Sequence, residues 1–481
     1  MTDEPEMGFD PIRGWGRYGD PLIQSTLLKR DHSLNLVNDL AQNVQLSEDR
    51  LVWQVTLRKD AYFSDGTNLT AHDVVFTYQQ IQRDLSMHDL AGLSSVVADD
   101  EYQVSFTLHE PDLGFQDHFV SVGIVPQHAY SKEYAQSPLG SGPFMLQRWD
   151  KGQQVILTLN PHYHGEQPEL DSLVIVFAGE DSLTSLVRSR QLHLAALPHR
   201  YVDLLPDNYH LVQVATNDNR GIVWPMNQPS DNAPGNTVTA DPVIRQVIDQ
   251  AIDRQLLVDG ILRGYGREAF SLADGLPWGP TPKVREQEEQ DALKMQLDTA
   301  GWIVNPRSGL RHKHGVDARI YLVYLAGDSV REQLSLAVAA MLQPLGIEII
   351  VEGASWSQIA QRMHNDPVMM GFGSHGLAEL YNVYMGTNAG QGWYNSGYYQ
   401  NAAVDTVLTT AKRAANYHDA APYFQQLHQQ LQQDLPWTWL VNIDHLYAVN
   451  TCLDIGQPIP EPHQHGWPIT SNIAQWKWLC D

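Results

Sequence analysis

The chain has 481 residues, of which 43% are hydrophobic and 18% charged, and its formal net charge is −25. That length calls for two or three folding units rather than one small core, and the balance is that of a globular chain. Acidity on this scale argues against nucleic-acid binding, which needs clustered Lys and Arg, and no apolar run approaches the roughly 20 residues of a membrane span.

In chain order, the N-terminus MTDEPEMGFDP is acidic and shows no apolar signal segment, as expected of a cytoplasmic chain or of an exported one in processed form. Residues 9–27 read FDPIRGWGRYGDPLIQSTL. Its glycines let a backbone approach a ligand, Trp15 and Tyr18 offer flat apolar walls, and Arg17 suits a carboxylate. The same aromatics can equally fill a core. Residues 53–78, WQVTLRKDAYFSDGTNLTAHDVVFTY, predict a strand, a turn and a capped helix. Trp53, Val55 and Leu57 alternate with polar residues, and Gly66 in Ser64-Asp65-Gly66 is free to take a positive φ. Thr70 stands at the N-cap with Asp73 three residues on, ahead of the apolar face Val74, Val75 and Tyr78. His162 and His164 form an H-x-H that reads as surface structure.

Pro229, Ser230, Pro234 and Gly235 mark a break over 228–236, followed by a helical pattern over 243–258. A second soft stretch covers 277–283. Residues 334–345 predict an amphipathic helix, and 347–351 a β-branched strand. His375 follows the apolar stretch 368–372, in a loop at a strand end. Trp393, Tyr394 and Asn395 open an aromatic run whose rings can stack on a ligand or pack in a core, with Asn395 suited to a carboxylate or amide. His463 and His465 form a second H-x-H, which on an extended backbone places both rings on one face. Imidazole suits nickel, copper and zinc, although most histidines are solvated or hydrogen-bonded. Cys452 and Cys480 lack CxxC spacing. In an oxidising compartment they can pair; otherwise they are two thiols. No H-E-x-x-H, P-loop, G-x-S-x-G or Rossmann fingerprint occurs, so a hydrolytic enzyme is only a remote alternative.

The wording of 53–78 resembles the signature of the family 5 extracellular solute-binding proteins, the binding components of ABC importers for peptides, nickel and metal chelates. Further matches follow in family order: Gly140-Ser141-Gly142-Pro143-Phe144, Asn160-Pro161 to Asp171, Ile244-Arg245-Gln246 to Arg254, Ala300-Gly301-Trp302, and Leu345-Gly346-Ile347. The resemblance implies an α/β, two-lobed periplasmic-binding-protein-like fold with an extra subdomain. Lobe I would take 1–41, the subdomain 42–147 and then 148–227; lobe II would take 228–450, and 451–481 would return to lobe I. It implies a monomeric, periplasmic or cell-surface receptor without catalysis or a resident cofactor, serving ABC-importer membrane subunits. The passages around Trp15, around His375 and around His463 are similar to the nickel and opine-metallophore branch. That points to a chelated transition metal, nickel first, as cargo, with His375, His463 and His465 as metal ligands. Trp15, Arg17, Tyr18, Trp393, Tyr394 and Asn395 would line the chelator. The alternative cargo is a di- or oligopeptide. Peptide receptors of the family hold the α-amino group with an aspartate near 373–379; here Glu379 is the nearest substitute.

Overall fold

The computed structural model describes residues 4–5, 7–18, 21–83, 88, 90–230, 233–280, 288–463 and 467–480, and the elements given are those of these residues. The chain divides into two compact units: Met1–Ala215, Lys412–Ala415 and His445–Asp481 form one, and Thr216–Ala411 with Asn416–Asp444 the other. The main passages thus fall at 215–216 and 444–445, rather than at the expected 227–228 and 450–451. Residues 219–223, before the first expected limit, are a core strand of the second unit, and residues 445–450, before the second, are a strand of the first. The Pro- and Gly-rich stretch read as a break is a loop within that unit, where the Asn236 N–H donates to the Asn227 carbonyl at 2.9 Å.

The first unit begins with an antiparallel sheet of β1 (Ala41–Leu46), β2 (Val52–Leu57), β3 (Leu93–Asp100) and β4 (Gln103–Leu108), in the order β1-β2-β4-β3. Trp53, Val55 and Leu57 point inward as their alternation requires. Each fully buried aliphatic or Phe side chain here contributes about 1.5–3 kcal/mol. Helix α1 (Ala71–Arg83) covers the sheet with Val74, Tyr78 and Ile81. Its start is held by Asp73, whose carboxylate accepts from the Thr70 N–H at 3.0 Å and from its hydroxyl at 3.2 Å. The turn before it has Gly66 at φ +85, as expected. This core also takes Ile12, Leu27 and Leu28, so it reaches beyond the proposed subdomain limits of 42–147. Strands β5 (Phe144–Asp150), β6 (Gln154–Leu159) and β7 (Ser172–Val176) form a second antiparallel sheet. Next come β8 (Leu194–Ala196) and β9 (Tyr209–Val214).

The second unit is built on a six-stranded sheet. Its strands are β10 (Asn219–Val223), β11 (Gly266–Glu268), β12 (Arg319–Leu325), β13 (Glu348–Ala354), β14 (Val368–Met370) and β15 (Trp437–Ile443), ordered β11-β15-β10-β14-β12-β13. β12 runs parallel to both β13 and β14. The crossover helix α2 (Ser329–Leu342) is N-capped by Asp328, which accepts from the Arg331 N–H at 2.9 Å. The helical pattern over 243–258 resolves into two helices, Pro242–Ala251 and Arg254–Gly260. Ile252 is extended, and Asp253 caps the second helix by accepting from the Leu256 N–H. The chain then returns to the first unit as β16 (His445–Asn450), which lies between β8 and β9, antiparallel to both. A disulfide joins Cys452 to Cys480 across 28 residues.

One buried imidazole sets an acid sensitivity. His88 is 5% exposed and its Nε2 bonds the Pro11 carbonyl at 2.9 Å. Burial pushes its pKa from 6.5 down to about 4. The unfolded chain therefore binds a proton that the folded chain refuses between those values. Stability should fall as pH drops from 6.5 to about 4, by roughly 3 kcal/mol for this group. Thermal melts across this range should show a shallower slope for His88→Gln; an identical slope would remove His88 as a cause.

Candidate functional site

In open parallel sheets, ligands sit beyond the carboxyl ends of the strands, where the strand order reverses. In the second unit that reversal lies between β12 and β14: the chain leaves β12 for the edge strand β13, then comes back across to β14. The residues just past these strands form the candidate site of this unit. Three buried charges, Asp218, Arg220 and Arg331, gather there with the half-buried Asp328. Arg220 forks onto the Asp218 carboxylate and also donates to the Asn219 carbonyl at 2.8 Å. Arg331, at the first turn of α2, pairs with Asp328. Burial pushes the Asp328 carboxyl up, but the guanidiniums of Arg331 and Arg220 outweigh it and hold the group below its usual range. Burial, with Arg220 close by, lowers Arg331. A glycine is required beside them: a Cβ on Gly371 would stand 2.0 Å from the Asn219 carbonyl oxygen and 2.7 Å from Arg220 Nη1.

The loop after β14 carries His375, which is 5% exposed. The loop is tied to the helix that follows it, α3 (Ala378–Tyr384): the Gly373 and Ser374 N–H groups donate to Glu379 Oε2 at 3.0 and 2.8 Å. Phe372 holds its own place through Asn219, donating its N–H to Oδ1 at 3.0 Å. Tyr394 stacks on Phe372 with centroids 5.3 Å apart, and Phe372 meets Trp437 edge-on at 5.7 Å. Trp437 in turn stacks on Trp439 at 4.5 Å. Trp393 meets Trp356 edge-on at 5.2 Å, and the Arg331 guanidinium lies 5.8 Å from the Trp356 ring. Trp393 and Tyr394 are half-buried. Asn395 is placed differently. It is buried, its Nδ2 donates to the Met385 and Tyr399 carbonyls, and its Oδ1 accepts from the Tyr399 N–H. Its amide closes the aromatic loop.

In the first unit the N-terminal loop starts with a turn over Pro11–Arg13, capped by Asp10 and closed by Gly14 at φ +93. Trp15 is buried between Phe9, at 4.9 Å, and Trp467, at 5.0 Å. The Arg17 guanidinium lies 5.0 Å from the Tyr18 ring, and that ring is 6.0 Å from the His463 imidazole. The structure therefore brings Tyr18 and His463, far apart in sequence, into one neighbourhood. His465 lies outside the described residues. Nearby in sequence, Glu461 is 1% exposed and accepts from His445 Nδ1 and the Tyr447 hydroxyl through Oε2. Its own N–H donates to the Ala215 carbonyl at 3.0 Å. One residue thereby secures the chain just before the first passage and just after the second.

Sequence reasoning missed Asp218, Arg220, Arg331, Trp356 and Glu461. Nothing in the local wording distinguishes a charge that will be buried from one that stays in water. Among the described residues, no group of three or more His, Cys, Asp or Glu is placed to hold a metal ion. No helix of the described residues is long and apolar enough to cross a membrane.

Comparison with known proteins gives consistent results. The model for bacterial extracellular solute-binding proteins, family 5 Middle, matches residues 35–395. Protein XP55 of Streptomyces lividans is 33% identical over 467 residues, covering 93% of this chain and 84% of XP55. The oligopeptide-binding protein AppA of Bacillus subtilis is 25% identical over 488 residues, covering 95% of this chain and 86% of AppA. Among solved structures, NikZ from Campylobacter jejuni in complex with Ni(L-His) has the same fold, with a TM-score of 0.89 at 20% identity over 99% of this chain and 98% of NikZ.

Proposed function

We propose that this chain, which belongs to the family 5 bacterial extracellular solute-binding proteins, captures a chelated transition metal for its ABC importer, with nickel as a histidine or opine-metallophore complex the favoured cargo. The family is one of solute receptors and not of enzymes. The observation that carries the choice of cargo is the engagement of Glu379. Where peptide receptors of the family present a carboxylate to the α-amino group, this carboxylate already accepts two backbone N–H groups of its own loop. Both bonds fall on Oε2 and turn the carboxylate toward its own loop. The same loop bears the imidazole of His375, a ligand type suited to nickel. With no cage of three protein ligands among the described residues, the chelator fills the remaining coordination positions. The structural likeness to NikZ, solved with Ni(L-His), is in keeping with this reading.

A peptide is the second reading. AppA, a relative in sequence, is named an oligopeptide binder.

Calorimetric titration separates the two. Nickel with excess histidine should bind, and His375→Ala should weaken that binding roughly tenfold or more if a coordinate bond is lost. Unchanged affinity in that variant would remove His375 as a ligand. Native mass spectrometry of protein from its own host, showing a peptide mass in place of a metal chelate, would overturn the cargo itself.

A further inference from the structure

The second unit contains, among its own elements, a cavity of about 20 Å³. Its wall includes Tyr384, the last residue of α3, His428 of the long helix Tyr417–Asp434, Ser271, and Trp437 and Trp439 of β15. One water needs roughly 10–15 Å³ and two to four polar partners. The space suffices for that and is far below the roughly 300 Å³ of an organic ligand's pocket.

Two polar atoms in this wall are short of a partner. Tyr384 is 2% exposed, and its hydroxyl accepts from the Trp439 indole N–H at 3.1 Å. Among the described residues nothing accepts the proton of that hydroxyl in turn. Buried tyrosine hydroxyls ordinarily find such a partner. Those of Tyr78, Tyr134 and Tyr447 donate to the His118 carbonyl at 2.9 Å, the Leu139 carbonyl at 2.7 Å and Glu461 Oε2 at 2.8 Å. Burial raises the pKa of Tyr384, so the proton stays on its oxygen.

His428, 5% exposed, shows the complementary lack. Its Nε2 lies 2.9 Å from the Trp278 carbonyl, which can only accept, so Nε2 carries the ring proton. Burial pushes the imidazole pKa down and keeps the ring neutral, which leaves Nδ1 as a lone-pair acceptor. The polar neighbour of Nδ1 among the described residues is the Ser271 hydroxyl at 3.4 Å, longer than a good hydrogen bond. The Arg254 guanidinium also borders the cavity, but it is turned to Asp249 and to the Ala269 and Trp439 carbonyls.

We propose that the cavity binds one water molecule, which accepts a hydrogen bond from the Tyr384 hydroxyl and donates one to His428 Nδ1. Water meets both needs because it accepts and donates at once. A metal cation could not accept from the hydroxyl, and an inorganic anion could not donate to Nδ1. A buried donor and acceptor left unmade are both costly, and the bridge removes that cost. It ties α3, whose Glu379 holds the loop bearing His375, to the long helix Tyr417–Asp434. The bridge is independent of which cargo the receptor takes.

A crystal structure of the wild-type protein that resolves ordered water should show one peak within hydrogen-bond reach of both Tyr384 Oη and His428 Nδ1. A dry cavity, or a water bonded to Asp249 or Arg254 in place of this pair, would overturn the proposal. In solution, magnetic relaxation dispersion of the solvent counts long-lived internal waters. His428→Phe keeps a ring and removes the acceptor, so the count should fall by one. An unchanged count in the folded variant would also overturn the bridge. Should the variant fold poorly, the crystallographic result on wild-type protein decides.

Discussion

Replacing Asp218 by asparagine should destabilise the second unit by about 3–5 kcal/mol, the usual cost of leaving one member of a buried ion pair without its partner. Asp218 and Arg220 are both buried, and the carboxylate takes both terminal nitrogens of the guanidinium. Without that charge Arg220 keeps the Asn219 carbonyl and the nearby Asp328 carboxylate, while the cation of Arg331 is close enough to repel it. Neither guanidinium can shed its proton at neutral pH. A double variant, Asp218→Leu with Arg220→Met, should lose much less, because it removes the desolvation cost along with the attraction. Urea unfolding followed by tryptophan fluorescence reads both. A single variant that unfolds no earlier than the double one would mean that the pair contributes nothing beyond its volume. The same experiment bears on function: these charges stand at the strand-order reversal, next to the loop that carries His375, so Asp218→Asn should also weaken cargo binding by more than its stability loss explains.

Opening the Cys452–Cys480 bond should cost about 3–4 kcal/mol on the chain-entropy estimate for a loop of this length. The segment it closes contributes buried Trp467, Ile469, Ile473 and Trp476 to the core that holds Phe9 and Trp15. Backbone pairing alone holds it weakly, since Leu453–Asp454 and Lys477–Trp478 form a ladder of only two residues. Thermal unfolding of the Cys452→Ser/Cys480→Ser protein should therefore begin several degrees lower, and reductant should bring wild-type protein to the same point. A shift worth less than about 1 kcal/mol would show that the apolar contacts of the segment suffice without the bond.

Local chemistry was legible wherever a few neighbouring residues decide the conformation. The strand, turn and helix over 53–78 form because their alternation, the freedom of Gly66 and the reach of Asp73 to Thr70 are all settled within three or four positions. The α2 helix and the strand after it follow the apolar period for the same reason. The run of family wordings along the chain likewise identified the solute-binding family. The unit boundaries were not legible. A loop rich in Pro and Gly marks a bend in the chain, but only strand pairing shows which sheet claims the residues before it, and β10 pairs with β15, more than 200 positions away. The same limit governs the site. Asn395 reads in sequence as a ligand-bonding amide, and only the structure shows the bonds it makes to the Met385 and Tyr399 backbone. Burial of Asp218, Arg220 and Glu461 comes from segments distant in sequence, and a side chain's charge says nothing about which distant segment will cover it. The sequence by itself determined the local elements and the family; only the tertiary structure decided which charges lose their water, which imidazole and aromatic groups become neighbours, and which buried hydroxyl is left without an acceptor, because those outcomes depend on contacts between residues far apart in the chain.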